Sequence, residues 1–215
     1  MSEITAEAEP QASAPMTHRE ILEVMAGLLA ALFTALLSTT VVSTALPRII
    51  ADLGASTTAF SWVITTALLA NAASTPIWGK LADLFNKKVL VQAAIIIFVA
   101  GSVLAGATPN VEVLLVARVI QGIGMGGLTA LVVAIIGSIV PPRERGRYSG
   151  YMGAVMGVSM AGGPILGGVI TDHIGWRWCF YVSVPLAVAA LILIQRTLHL
   201  PSTRKDDVSI DWLGA

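Results

Sequence analysis

Apolar residues along this chain gather into six long runs: Val24 to Leu46, Ala59 to Trp78, Val89 to Ala107, Val111 to Val140, Tyr148 to Ile170 and Trp178 to Leu198. Each approaches or exceeds the roughly 20 mostly apolar residues that a helix needs to cross a membrane. The breaks carry residues that end helices, among them Pro47, the "TPN" at 108–110 and Pro141-Pro142. The connections are short, so successive helices should run antiparallel. The pattern predicts an all-α, polytopic membrane bundle of six helices over residues 21–200. Residues 1–20 are polar, with no basic stretch leading into a short apolar core, so they read as a disordered cytoplasmic tail rather than a cleaved leader. Residues 201–215 read as a cytoplasmic linker towards a further helix.

The cations orient the bundle. With the N-terminus inside, Arg19, Lys80, Lys87, Lys88, Arg143, Arg145, Arg147, Arg196, Arg204 and Lys205 fall on the cytoplasmic side. Only Arg48 and Arg177 fall outside, and Arg118 lies within the fourth span. Lys and Arg accumulate in cytoplasmic loops, so the N-in arrangement is the expected one.

Composition agrees with this class. The chain is 55% hydrophobic and 12% charged, where a soluble domain is about a quarter charged. Mean hydropathy is +0.80. Net formal charge is zero, which gives no bias towards nucleic acid. A lone Cys179 excludes an internal disulfide and a CxxC metal site. The three histidines, His18, His173 and His199, show no ligand spacing, so no metal site is expected. No nucleophile elbow, HExxH or P-loop pattern is present, and neither an enzyme nor a cofactor is expected.

Three polar features stand out within the runs. Arg118 lies about seven residues, or roughly 10 Å, from the outer end of its helix. It either snorkels to the outer interface or is held as a fixed charge by Gln121, one turn on, and by groups near Ser38 to Ser43 of the first span. Thr34, Ser38, Thr65, Asn71 and Gln121 are candidate lining positions of a cavity. The alternative for each hydroxyl is a bond to its own helix backbone. The stretch "SGYMGAVMGVSMAGGPILGGVI" holds more small residues than plain packing requires, and with Pro164 it reads as a bent helix set tightly on a neighbour. Met156 and Met160 on that helix form a soft wall or simply pack. Trp62, Trp78, Trp176 and Trp178 sit near span ends, as interfacial anchors do.

Several stretches resemble signatures of the major facilitator superfamily, and within it the drug:proton antiporters with fourteen predicted helices. "GKLADLFNKK" is similar to the cytoplasmic loop signature through Gly79, Asp83, Lys87 and Lys88, with Asn86 in place of a turn glycine and Leu84 in place of a base. The resemblance implies a gate latch in which Asp83 is held against the second half of the protein; an ordinary charged loop is the alternative. "RVIQG" resembles the intramembrane signature associated with proton coupling, through Arg118, Gln121, Gly122 and Gly124. "GPILGG", with Gly150 upstream, resembles the fifth-helix signature of exporters through Gly163, Pro164, Gly167 and Gly168, with Ser159 where a glycine is expected. "LLSTTVVSTALPRI" resembles the end of the first helix through Thr40, Ala45, Leu46 and Pro47, with Ser38 where many relatives carry an acid. "GWRWCFYVSVP" resembles the entry into the sixth helix.

The resemblance implies a secondary transporter of the cell membrane that exports small amphipathic compounds in exchange for protons, with the proton gradient as its energy source. Its partners would be the lipid bilayer, the substrate, protons and a C-terminal half, and its location a bacterial inner membrane. None of the 13 acids lies deep in a span, so either the titrating group is elsewhere or Arg118 and its neighbours shift the affinity of something else, and the expected substrates are broader or more neutral than lipophilic dications. Superfamily transporters pair two six-helix halves, each built of inverted three-helix repeats. This chain has one half, and "DVSIDWLGA" resembles the start of a further helix, so it reads as an N-terminal fragment. A six-helix dimer, a purely structural half and a proton-coupled importer are the alternatives. The strong cation asymmetry and the fifth-helix motif weigh against the first and the last.

Overall fold

The computed structural model describes residues 18–198. They form α1 (His18–Asp52), α2 (Thr57–Leu84), α3 (Lys87–Gly106), α4 (Val111–Ile139), α5 (Arg145–His173), α6 (Trp178–Tyr181) and α7 (Ser183–Thr197). Val182 between the last two keeps helical dihedrals, so α6 and α7 form the single sixth span. α1 begins within the stretch expected as tail; the rest of the tail and the linker lie outside the described residues. Five spans are long and apolar enough to cross a membrane, and α2 completes the expected six by length. It is diluted by Thr65, Thr66, Asn71, Ser74 and Thr75.

Two boundaries differ from the sequence expectation. Pro47 does not end α1, which runs on to Asp52. The final turn survives because Ile49 and Ile50 are buried in the outer apolar cluster. Gly54, at φ 59°, then closes the helix, with Ala55 N–H donating to the Ile50 carbonyl at 3.0 Å. The "GKLADLFNKK" stretch is helical rather than a loop, apart from Phe85 and Asn86. Asn86 has φ −63° and serves as the α3 N-cap, accepting from Lys88 N–H at 2.9 Å. Its role is capping, not a left-handed turn.

Lipid tails are as apolar as leucine, so membrane helices associate through close packing rather than hydrophobic drive. Glycines set that closeness here. α4 lies against α2 and α3, while α1 lies against α5 and α7. On α4, Gly122 and Gly126 face α2, where a Cβ would run into the Ala67 carbonyl and the Ser74 hydroxyl. Gly124 faces α3, with a Cβ placed 2.5 Å from Phe98 N and 2.7 Å from Ala94 O. Gly101 of α3 answers it, 2.5 Å from Gln121 N. On the other side, a Cβ on Gly27 of α1 would come 2.9 Å from Ile194 of α7.

Two apolar clusters fill the bundle. One gathers Met25, Leu28, Phe98, Leu128, Leu131 and Tyr148 towards the end of the bundle where α1 begins. The other gathers Val41, Leu46, Ile49, Val63, Leu114 and Phe180 towards the opposite end. At the outer rim, Trp176 is buried and donates Nε1–H to Asp52 Oδ2 at 2.9 Å. Arg177 stacks 4.2 Å over the Trp176 ring and donates to Thr108 O at 3.3 Å. Trp78 also turns inward, to the Ile123 carbonyl at 3.0 Å. Neither tryptophan is thus the exposed anchor expected, because each indole N–H finds an acceptor inside the bundle. Trp62 and Trp178 are about half exposed, at 53% and 54%, as anchors would be.

Gly124→Val should lower stability by about 3 kcal/mol or prevent folding, since the obstacle is backbone rather than a flexible side chain. Gly137 has open space around it, so Gly137→Ala should be neutral or stabilising by up to about 1 kcal/mol. Thermal unfolding of both variants in detergent checks the pair; equal midpoints would contradict the packing account.

Candidate functional site

The two apolar clusters are separated by a polar layer. On α3, Ser102 falls between Phe98 and Ala105; on α4, Arg118 and Gln121 fall between Ala117 and Met125; Ser38 lies at the border on α1. Arg118 is 3% exposed, which rules out snorkelling. Its Nε–H donates to the Val63 carbonyl of α2 at 3.2 Å, and Nη1–H donates to Gln121 Oε1. Arg118 and Gln121 are three apart on one helix and share a face. With Oε1 committed to the guanidinium, Gln121 must present Nε2 to the other side. It donates to Ser102 Oγ at 2.8 Å and Ser38 Oγ at 3.2 Å. Ser102 Oγ–H in turn donates to the Phe98 carbonyl at 2.9 Å. Every link runs donor to acceptor, and the chain of bonds ties α1, α2, α3 and α4 together.

Glycines bring these partners within reach. The close approach at Gly122 lets α2 settle on α4 and puts the Val63 carbonyl beside Arg118. The close approach at Gly101 puts the adjacent Ser102 beside Gln121. Guanidinium keeps its charge in a protein. Here it is met by neutral oxygens alone, without a carboxylate among the described residues in the layer. Nη2 makes no hydrogen bond to the described residues. The layer therefore offers one fixed positive charge with donors to spare.

The sequence matches the family model described as Major Facilitator Superfamily over residues 28–210. The chain belongs to that superfamily. It is 44% identical over 196 residues to "Efflux pump dotC" of Dothistroma septosporum, covering 89% of this chain and 34% of that protein. It is 39% identical over 198 residues to "MFS-type transporter ppz2" of Metarhizium majus, covering 89% and 34%. It is 40% identical over 192 residues to "Multidrug resistance protein 3" of Bacillus subtilis, covering 89% and 37%. The chain thus spans about a third of the length of these relatives. Superfamily members are transporters, not enzymes, and the apolar helices make this a multi-pass membrane protein. The relatives are fungal as well as bacterial, so similarity does not favour the bacterial membrane expected above.

Within this superfamily member the other expected sites are dispersed. Thr34 is buried but donates to its own Ala30 carbonyl at 2.8 Å, outside the network. Asn71 is half-buried, and its Oδ1 accepts from Thr75 at 3.3 Å. Thr65 is exposed, and of the five cavity candidates only Ser38 and Gln121 come together. On α5, Gly163 and Gly167 form a ridge against α1. A Cβ on Gly163 would run into Thr40, and one on Gly167 would lie 2.8 Å from Val41 O. Thr40 Oγ1 donates across this seam to Ser159 O at 3.0 Å. Gly150 and Gly168 have open space, and Pro164 is exposed. Met156 and Met160 lie on the same open side, 47% and 68% exposed. Gly79 and Asp83 lie on the last turns of α2, with Asp83 exposed and in no ion pair among the described residues. Lys87 and Lys88 open α3, and Lys88 Nζ donates to Gln195 O at 2.8 Å.

Sequence reasoning missed Ser102 and the Val63 carbonyl. Ser102 carried a usable signal, a hydroxyl beside a glycine in an otherwise apolar span. A backbone acceptor carries none.

Gln121→Leu removes the Nη1 acceptor and strands a buried charge, which should cost about 3–5 kcal/mol. Thr34→Val removes only a bond within one helix and should cost about 1 kcal/mol or less. Chemical denaturation of both variants in detergent measures the difference, and equal losses would contradict the network.

Proposed function

We propose that the protein exports small amphipathic compounds across a cell membrane in exchange for protons, as one helical half of a two-half transporter. The observation that carries this reading is the α1–α5 seam. Gly163 and Gly167 touch α1 there, in the stretch that resembles the exporter signature. The names of the relatives, an efflux pump and a multidrug resistance protein, support the direction of transport. The open face of α5, with Val158, Met160 and Ile165 each more than 60% exposed, offers an apolar wall to a substrate or a second half. The exchanged packing of α1 and α4 supports a construction from two three-helix repeats.

Arg118 would couple protons electrostatically. A carboxylate brought near Nη2, from a substrate or from the second half, is stabilised in its ionised form by the guanidinium. Protonation cancels that attraction and releases the acid. Arg118 keeps its charge throughout, so it acts as a fixed counter-ion rather than a proton carrier. Ser38 and Gln121 would border the substrate space, with Asn71 further along α2. Asp83, exposed near the basic start of α3, would latch against a second half at the cytoplasmic side.

Efflux of a fluorescent lipophilic dye from cells making the protein should collapse on addition of a proton uncoupler; uncoupler-insensitive efflux would overturn antiport. Arg118→Ala should lower coupled efflux by tenfold or more, at least about 1.4 kcal/mol of lost coupling, with membrane abundance retained. Asp83→Asn should reduce transport without loss of protein, and unchanged transport would remove the latch.

A further inference from the structure

α3 and α7 meet at their cytoplasmic ends around a groove that plays no part in the polar layer. It has a volume of about 360 Å³ and is lined by Gln92, Ile96, Leu191, Ile192, Gln195 and Arg196. Its chemistry changes along its length. Two cations stand at the rim. Arg196 lies in the last turn of α7, exposed and without an ion pair among the described residues. Lys88 is held there by its bond to the Gln195 carbonyl. That carbonyl is neutral, so the ammonium charge is not cancelled and two of its three N–H donors are unspent. Lys87 stands one residue away. Neither α3 nor α7 contains an acid, and Glu23 at the start of α1 pairs with Arg19.

Below the rim, Gln92 donates to Gln195 Oε1 and bridges the two helices. Among the described residues, the Nε2 of Gln195 keeps both its donors. Deeper still the lining is aliphatic. Ile96 and Ile192 are 58% and 49% exposed, which in a membrane-spanning helix means exposed to hydrocarbon. Cations, then amide donors, then an open apolar trough follow the order of a phospholipid from headgroup through glycerol esters to acyl chain.

We propose that this groove binds an anionic phospholipid of the cytoplasmic leaflet. The phosphate sits between Lys88 and Arg196, the ester region meets the glutamine pair, and one acyl chain lies along Ile96 and Ile192. Free phosphate would satisfy the rim but leave the trough unused, and a zwitterionic lipid would bring its own cation to a site already positive.

The test is native mass spectrometry of the purified protein from mixed micelles holding equal phosphatidylglycerol and phosphatidylethanolamine. Each surface cation favours an anionic lipid by roughly fivefold, so the pair should give a retention ratio of about thirtyfold. Lys88→Gln with Arg196→Gln should abolish the preference, while Lys80→Gln, on exposed α2 surface, should keep it. Ile96→Trp fills the trough and should release the lipid with both cations intact, and added inorganic phosphate should not displace it. Should the double variant fail to fold, Arg196→Gln alone reads the same loss at about fivefold. Equal retention of the two lipids would overturn the proposal. So would a preference that survives the double variant, an equal loss in Lys80→Gln, or displacement by phosphate with Ile96→Trp unaffected.

Discussion

A charge that cannot be discarded, placed among helices in hydrocarbon, has to be met by oxygen. Arg118 imposes that demand, and the interior is arranged around it. Its acceptors are the Val63 carbonyl and the Gln121 side chain, and Gln121 is oriented by two serine hydroxyls. The bonds to Val63 and Ser102 would not form if α2 or α3 stood further from α4. Gly122 and Gly101 permit the approach, so the polar layer and the glycine contacts are one requirement seen from two sides. A charged hydrogen bond is worth more inside a low-dielectric interior than in water, and its loss is correspondingly costly. This explains why the tightest backbone contacts flank the polar residues.

The same economy explains how the helices are shared. α4 gives its two glycine faces to α2 and α3, and α1 is taken up by α5 and α7. The leading helix of each three-helix stretch is packed mainly by the other stretch. Neither trio could bury its own first helix alone, so the half folds as one body. α5 is the exception in burial. Its inner ridge is pressed on α1, while only 22% of its most apolar window is enclosed.

Much of this was legible in the sequence. Long apolar runs are unambiguous, and the single cation within the fourth pointed to its neighbour Gln121 by helical spacing alone. Other features were not legible, for physical reasons. Pro47 signals a helix end, yet tertiary burial of Ile49 and Ile50 outweighs the local signal. "GKLADLFNKK" looks like a loop because it is charged, but charged residues are also at home on helix ends beyond the hydrocarbon. Trp78 and Trp176 have the right depth for anchors, and depth does not reveal which way an indole turns. Thr34 and Ser38 share a helix face, but only Ser38 is level with Gln121. The expected Ser38-to-Arg118 contact is instead relayed through the amide, a detail that needs three dimensions.

At the outer rim, Trp176 is joined to Asp52, and its neighbour Arg177 to Thr108. The final residue of α1 and the turn after α5 are therefore fastened together, with the end of α3 attached to the same knot. Inward of that knot, Gly163 and Gly167 of α5 let it lie close on Thr40 and Val41 of α1, with Thr40 to Ser159 as the cross-bond. A pair of rods pinned at one end and smooth along its length can part only at the other. α5 is 29 residues long, a lever of about 44 Å at 1.5 Å per residue. A rotation of a few degrees at the pin would be felt at the basic start of α5 as a displacement of several ångströms.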